Sequence, residues 1–216
     1  MTMNRRQMLA ASTGLALCAN IYAQEASPVS TATRPLRRTA RQLNQEQTLE
    51  VITATDHAVL STCDKAGYPY GVPITPVLEG DHLYFHATGT KGGRKEDNML
   101  MNPNVSVAFV SKANTLGSCY SVDFASAIVR GKAHKVTDPK EIAHAFDLIL
   151  ARHAPSNSKA RNDIQKKVRG PYATVWKIDI EHIDGKARAA KEWIKGRSAT
   201  ELHDTCTSAW LQGVPK

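Results

Sequence analysis

Cysteine is scarce and poorly placed for chemistry. Cys18, Cys63, Cys119 and Cys206 stand far apart and no C-x-x-C pair exists, which argues against a zinc ribbon or a thioredoxin-like dithiol. The eight histidines show no H-E-x-x-H or other ligand spacing, so no metal site is expected. Apolar runs of eighteen or more residues are missing, which removes an ordinary transmembrane helix and a stable membrane anchor. Neither G-x-x-x-x-G-K-[ST] nor G-x-G-x-x-G occurs, so Walker and Rossmann nucleotide sites are unlikely. Aromatic residues make up 6% of the chain, which leaves few stacking platforms for single-stranded nucleic acid.

What is present is an ordinary globular composition. The 216 residues suffice for one domain or at most two small ones, and 42% apolar against 22% charged residues excludes a disordered or fibrous chain. The net charge is +8, which raises the question of a nucleic-acid or phosphate partner.

Part of that charge belongs to an address. Arg5 and Arg6 precede a modestly apolar stretch, Met8 to Ala19, and Ile21-Tyr22-Ala23 offers an A-x-A-like cleavage site. This is the layout of a signal peptide over residues 1–23, and the paired arginines point to the twin-arginine export machinery and a periplasmic or otherwise exported mature chain. That route carries folded proteins, which suits a cofactor loaded before export. Removing residues 1–23 takes away Arg5 and Arg6 and leaves +6. Residues 24–41 hold Pro28, Pro35 and four arginines and read as a flexible basic linker.

From residue 42 to 188 the pattern is that of a compact domain. Asn44 is a candidate cap for a helix with Leu49, Val51 and Ile52 on its apolar side. Strands are expected at 57–63, 70–77, 81–87, around 105–109, over 118–136 and from 174 onward. Under period 2, Leu83 and Phe85 face one way and Tyr84 and His86 the other; Tyr120, Val122, Phe124 and Ile128 share one face, as do Thr174, Trp176, Ile178 and Ile180. Helices are expected over 92–101 and from Asp138-Pro139, with a short one inside 153–171. Prolines 69, 73 and 76 bar a central position for the second strand and leave an irregular edge, or a strand lying against a ligand. Six strands joined by short turns, with two or three helices, predict a mainly β fold: an antiparallel barrel with peripheral helices. Residues 189–216 are expected to form a helical tail over it.

The segment richest in chemistry runs from His86 through Gly89, Lys91, Gly92 and Gly93 to Arg94 and Lys95, and ends at Asn102-Pro103. Three cations at the start of a helix oppose its macrodipole. They make sense around an anion, which helix-end amides and a glycine loop would also bind. The plainer reading is a solvated basic turn.

This order of features resembles the flavin-binding segment of the pyridoxamine 5'-phosphate oxidase-like split barrels, nearest to the 5-nitroimidazole-resistance branch. Residues 67–74, 121–132 and 175–186 are similar to the second-strand hairpin, the long strand and the closing strand of that group. The resemblance implies a six-stranded antiparallel split β-barrel that binds FMN in a groove at a homodimer interface. It implies that Arg94 and Lys95, with Lys91 less securely matched, hold the flavin phosphate. Val72, Pro73, Ile74 and Thr75 match the strand beside the isoalloxazine ring. His86 matches a histidine near the flavin, where it is a candidate proton donor in reduction of a small-molecule substrate such as a nitro compound or another xenobiotic. Tyr70 and Thr75 stand where the true oxidases carry a basic pair, which argues against oxidation of pyridoxamine phosphate. Some split barrels bind haem, and a non-catalytic flavin or haem carrier, with His86 as axial ligand, is the alternative. Nucleic acid is not expected as a partner. A disulfide between Cys63 and Cys119 stays open.

Overall fold

A computed structural model describes residues 34–89, 92–116 and 120–188. The leader over 1–23, most of the linker, Lys91, Cys119 and the tail from 189 lie outside the described residues. Within the linker, Thr39–Arg41 form a short 3-10 turn, and Gln42 then bridges to Lys186.

Seven strands form one antiparallel sheet: β1 (Ala58–Cys63), β2 (Pro69–Ile74), β3 (Val77–Glu79), β4 (His82–Thr88), β5 (Asn104–Leu116), β6 (Ser121–Lys135) and β7 (Ala173–Arg188), in the order β2-β1-β5-β6-β7-β4-β3. The sequence pattern predicts six. The difference lies at Pro76, which has no amide hydrogen and splits the expected strand over 70–77. The part before it pairs with β1 and the part after it pairs with β4. The two pieces end up at opposite edges of the sheet, joined by Thr75-Pro76. Two linking residues span roughly 10 Å at full extension, so the sheet curls until its edges meet, as a split barrel requires. Pro69 and Pro73 sit on the edge strand β2, where an amide turned away from β1 is not needed.

The interior is filled from alternating positions. Leu60, Leu83, Phe85, Val107, Phe109, Val129, Trp176 and Ile178 are all buried in one core. On β6 the inward residues are the small Ala125, Ala127, Val129 and Ala133, while Val122 and Ile128 are exposed on the other face and Tyr120 lies in the turn before the strand. The apolar period on β6 therefore marks its outer side. Small residues inside leave room for Trp176 and the phenylalanines of β4 and β5. Gly131, at a bulge opposite β7, has no room for a side chain: a Cβ there would overlap the carbonyl of Asp179.

Among the described residues, four helices decorate the sheet. Helix α1 (Gln45–Thr53) begins with a capping box between Asn44 and Gln47 and buries Val51 and Ile52. It approaches β7 closely, because a Cβ on Gly185 would overlap Thr48. Helix α2 (Arg94–Met101) follows β4. Helix α3 (Pro139–His153) starts at Asp138, whose carboxylate accepts from the amide of Lys140, with Pro139 in the first turn. Helix α4 (Lys159–Arg169) is capped by Ser158 and is longer than the short helix its polar sequence suggests. Helix α3 covers the outer face of β4 and β7 through a second apolar cluster of Tyr84, Val136, Ala145 and Val175, with Ile142 and Phe146 packed against it. Among the described residues, no helix is long and apolar enough to cross a membrane.

Candidate functional site

Helix α2 is held so that its N-terminus faces the corner between β2 and β4. Its third residue, Glu96, is buried and accepts hydrogen bonds from Thr174 Oγ1 at 2.6 Å and Trp176 Nε1 at 3.0 Å. A carboxylate at this position also suits the positive end of the helix. Asn98, likewise buried, donates to Thr62 Oγ1 at 3.0 Å, and Thr62 donates to the Tyr70 carbonyl at 3.3 Å. Two buried polar links thus tie α2 to β7, β1 and β2. Losing either would strand a buried partner, at about 1–3 kcal/mol.

The helix start itself is left open. Its cap is Gly93, which offers no side-chain bond, so the first-turn amides of Arg94 and Lys95 are free of a side-chain cap. Gly92 enters with φ +73°, a left-handed conformation that glycine adopts without strain. The first turn carries Glu96 and Asp97 as well as the two cations. The local charge is therefore more balanced than a count of cations suggests, and it is segregated: Glu96 turns inward and Arg94 is exposed. The Arg94 guanidinium stacks on the Tyr70 ring, 5.2 Å from its centroid.

Pro73, Ile74 and Thr75 of the edge strand, His86 of β4 and Lys95 of α2 line one hollow of about 240 Å³, together with His57. Five of the residues singled out in the sequence thus converge. Arg94 stands beside them over Tyr70. Val72 shares the inward face of β2 with Ile74 and packs against the core, but it does not line the hollow. Sequence reasoning missed His57, which comes from the turn before β1, and His153, whose Nε2 lies 3.2 Å from the Pro76 carbonyl. It also missed Glu96 and Asn98.

His86 sits on the outer face of β4, as the alternation predicts. Its side chain reaches solvent, but desolvation by the surrounding walls lowers its pKa first; the nearby Lys95 charge and then His153 lower it further. The imidazole is therefore neutral at neutral pH, with one nitrogen donating and one accepting. An anion that neutralised Lys95 would relieve part of this shift.

A family model described as pyridoxamine 5'-phosphate oxidase matches residues 44–187, more than half of the chain. The chain belongs to that family. It is a family of flavin-binding split barrels, and the shared region contains the hollow and all four helices. No curated protein sequence matches the chain. Among solved structures, one described as a 5-nitroimidazole antibiotic resistance protein from Bacteroides thetaiotaomicron is 24% identical, with a TM-score of 0.55 over 67% of this chain and 85% of that one. A flavocytochrome from Azotobacter vinelandii is 17% identical, with a TM-score of 0.56 over 74% of both chains. A haem storage protein from Vibrio cholerae is 13% identical, with a TM-score of 0.50 over 64% and 92%. At these identities the likeness is one of fold.

The donor set fits a flavin phosphate. It offers uncapped helix amides, Lys95 and a guanidinium whose face is already stacked while its edge stays exposed. Among the described residues, no group of three or more His, Cys, Asp or Glu side chains is placed to hold a metal ion.

Proposed function

We propose that the mature protein is an exported, homodimeric FMN-dependent oxidoreductase that reduces a small organic acceptor, such as a nitro compound or another xenobiotic. The observation that carries this reading is the convergence of the β2 edge, His86 and Lys95 on one hollow at the start of α2. Lys95, Arg94 and the first-turn amides would hold the phosphate. Pro73, Ile74 and Thr75 would flank the ring system; Lys91, which the resemblance also assigns to the phosphate, lies outside the described residues. Bound there, FMN supplies the electrons, taken from an external reductant. The protein's part is to position the acceptor, exclude water and place an imidazole N–H at His86, where a hydrogen bond or proton can be delivered to the reduced product.

A hollow of about 240 Å³ falls below the ~300–1,000 Å³ usual for small-molecule sites, which suits a site finished by a second copy. Val59, Val110 and Ile128 are exposed at 42%, 54% and 36% on the outer face of β1, β5 and β6. Val59 and Ile128 lie in one cross-strand row through Ala108, and a second copy would cover them. Export rests on Arg5-Arg6 and the cleavage site at Ala23; replacing both arginines by lysine is expected to retain the protein in the cytoplasm.

Mass spectrometry of the copurifying ligand tests the core of the proposal. Yellow protein yielding FMN is the expected result. Colourless protein that takes up no added FMN would sink it. The neutral, cavity-facing imidazole of His86 also favours a second reading, a haem carrier; a Soret band lost in His86→Ala would select it.

A further inference from the structure

The outer face of β4 carries Tyr84, His86 and Thr88 in succession. Helix α3 seals the first of these, and beyond it the cover lifts. There α3, α4 and the turn Gly170–Tyr172 enclose a second cavity of about 340 Å³ with His86 and Thr88 on its floor. His86 also lines the first hollow, so one imidazole stands at the boundary of two chambers. The volume lies within the range of small-ligand sites.

The walls of this second chamber are unequal. On the α3 side they are apolar: Phe146, Ile149 and Leu150 line it. On the α4 side they are cationic, with Lys166 and Arg169. Among the described residues, no Asp or Glu lines it. The two cations differ in availability. Lys166 is paired with Asp147 at 2.5 Å and Asp163 at 3.1 Å, and those bonds raise its pKa. The Arg169 guanidinium makes no hydrogen bond or ion pair with any described side chain. An uncommitted guanidinium at the rim of an apolar cavity is suited to a carboxylate or a similar planar anion.

We infer that this cavity is the acceptor pocket and that it selects an apolar organic acid. The hydrocarbon or aromatic body would lie against Phe146, Ile149 and Leu150, the anionic group would meet Arg169, and the far end would reach His86. Its use as an acceptor pocket rests on the oxidoreductase reading; its ligand class rests on the cavity alone.

The probes are 4-nitrobenzoate and its neutral counterpart nitrobenzene, titrated calorimetrically into the full mature chain with and without FMN. In wild type, 4-nitrobenzoate is expected to bind at least tenfold more tightly than nitrobenzene. Arg169→Glu, an exposed change, should remove that preference and leave nitrobenzene binding and FMN affinity as they were. Leu150→Trp should fill the cavity and weaken both probes. Equal affinity for the two probes in wild type, or an unaltered preference in Arg169→Glu, overturns the inference even if Leu150→Trp fails to fold. Arg169-dependent binding by a chain that never takes up FMN would support the ligand class and defeat the redox role. FMN uptake with no Arg169-dependent binding would do the reverse.

Discussion

Tyr84 and His86 lie two residues apart on the same face of one strand. Tyr84 is 4% exposed; its hydroxyl donates to Glu141 Oε1 at 2.9 Å, and Lys177 donates to the same oxygen at 2.8 Å. Burial, and then Glu141, push its pKa up to about 12. His86 has the same strand geometry, but α3 has passed over by then, and the side chain opens onto two chambers. What separates a fastener from a site here is whether the covering helix continues. Alternation assigns the face, and the cover assigns the role.

Breaking the sealed half should have the largest effect. Tyr84→Ala is expected to cost about 3 kcal/mol of stability in chemical denaturation, through an unfilled space under α3 and the loss of one of the two donors to Glu141. FMN affinity per folded molecule should stay at the wild-type value. Breaking the open half should do the opposite. Lys95→Glu is expected to weaken FMN by roughly 10- to 100-fold in fluorescence titration, the value of a charge-assisted bond of about 1.5–3 kcal/mol, with the melting temperature little changed.

The comparison can also be sharpened by pH. A tyrosine whose folded pKa is raised stabilises the fold fully below its unfolded pKa near 10. That stability is lost as pH rises through the folded value of about 12. Wild type should therefore lose about 2 kcal/mol across that window beyond what Tyr84→Phe loses. A parallel pH profile for the two proteins would show that Tyr84 is not sealed. The smallest effect is on the open side. Lys95→Ala should raise the His86 pKa in an NMR titration without restoring the ordinary imidazole value, because burial is the larger cause.

Local signals in the chain were the legible ones. The Asn44 cap, the Asp138-Pro139 start and the alternation on β4 and β7 each depend on neighbours within a few residues, and each appears in the structure. So does the meeting of Pro73, Ile74, Thr75, His86 and Lys95, which the family pattern brings together. Long-range facts were hidden. Glu96 reads as one more exposed acid until Trp176, 80 residues later, donates to it. Pro76 reads as an irregularity inside one strand, since only the pairing partners reveal two. On β6 the apolar period is conspicuous on the outer side because the inner side is built from alanines, which carry little signal. Helix α4 carries only a thin apolar row, Ala160, Ile164 and Val168, which stays unburied, so little in the sequence marks its full length.

The Thr75-Pro76 corner has a kinetic consequence. β2 and β3 are neighbours in the chain but opposite margins of the sheet, so the barrel closes around this corner only after β5, β6 and β7 have assembled between the β1–β2 and β3–β4 hairpins. Contacts that depend on so much prior order form late. The lip at Pro73–Ile74 pairs locally with β1, but its meeting with His86 and Lys95 waits on that closure, and a ligand arriving during synthesis would find no seat until the barrel had closed. If FMN is the ligand, as proposed, a filled site would report a finished fold.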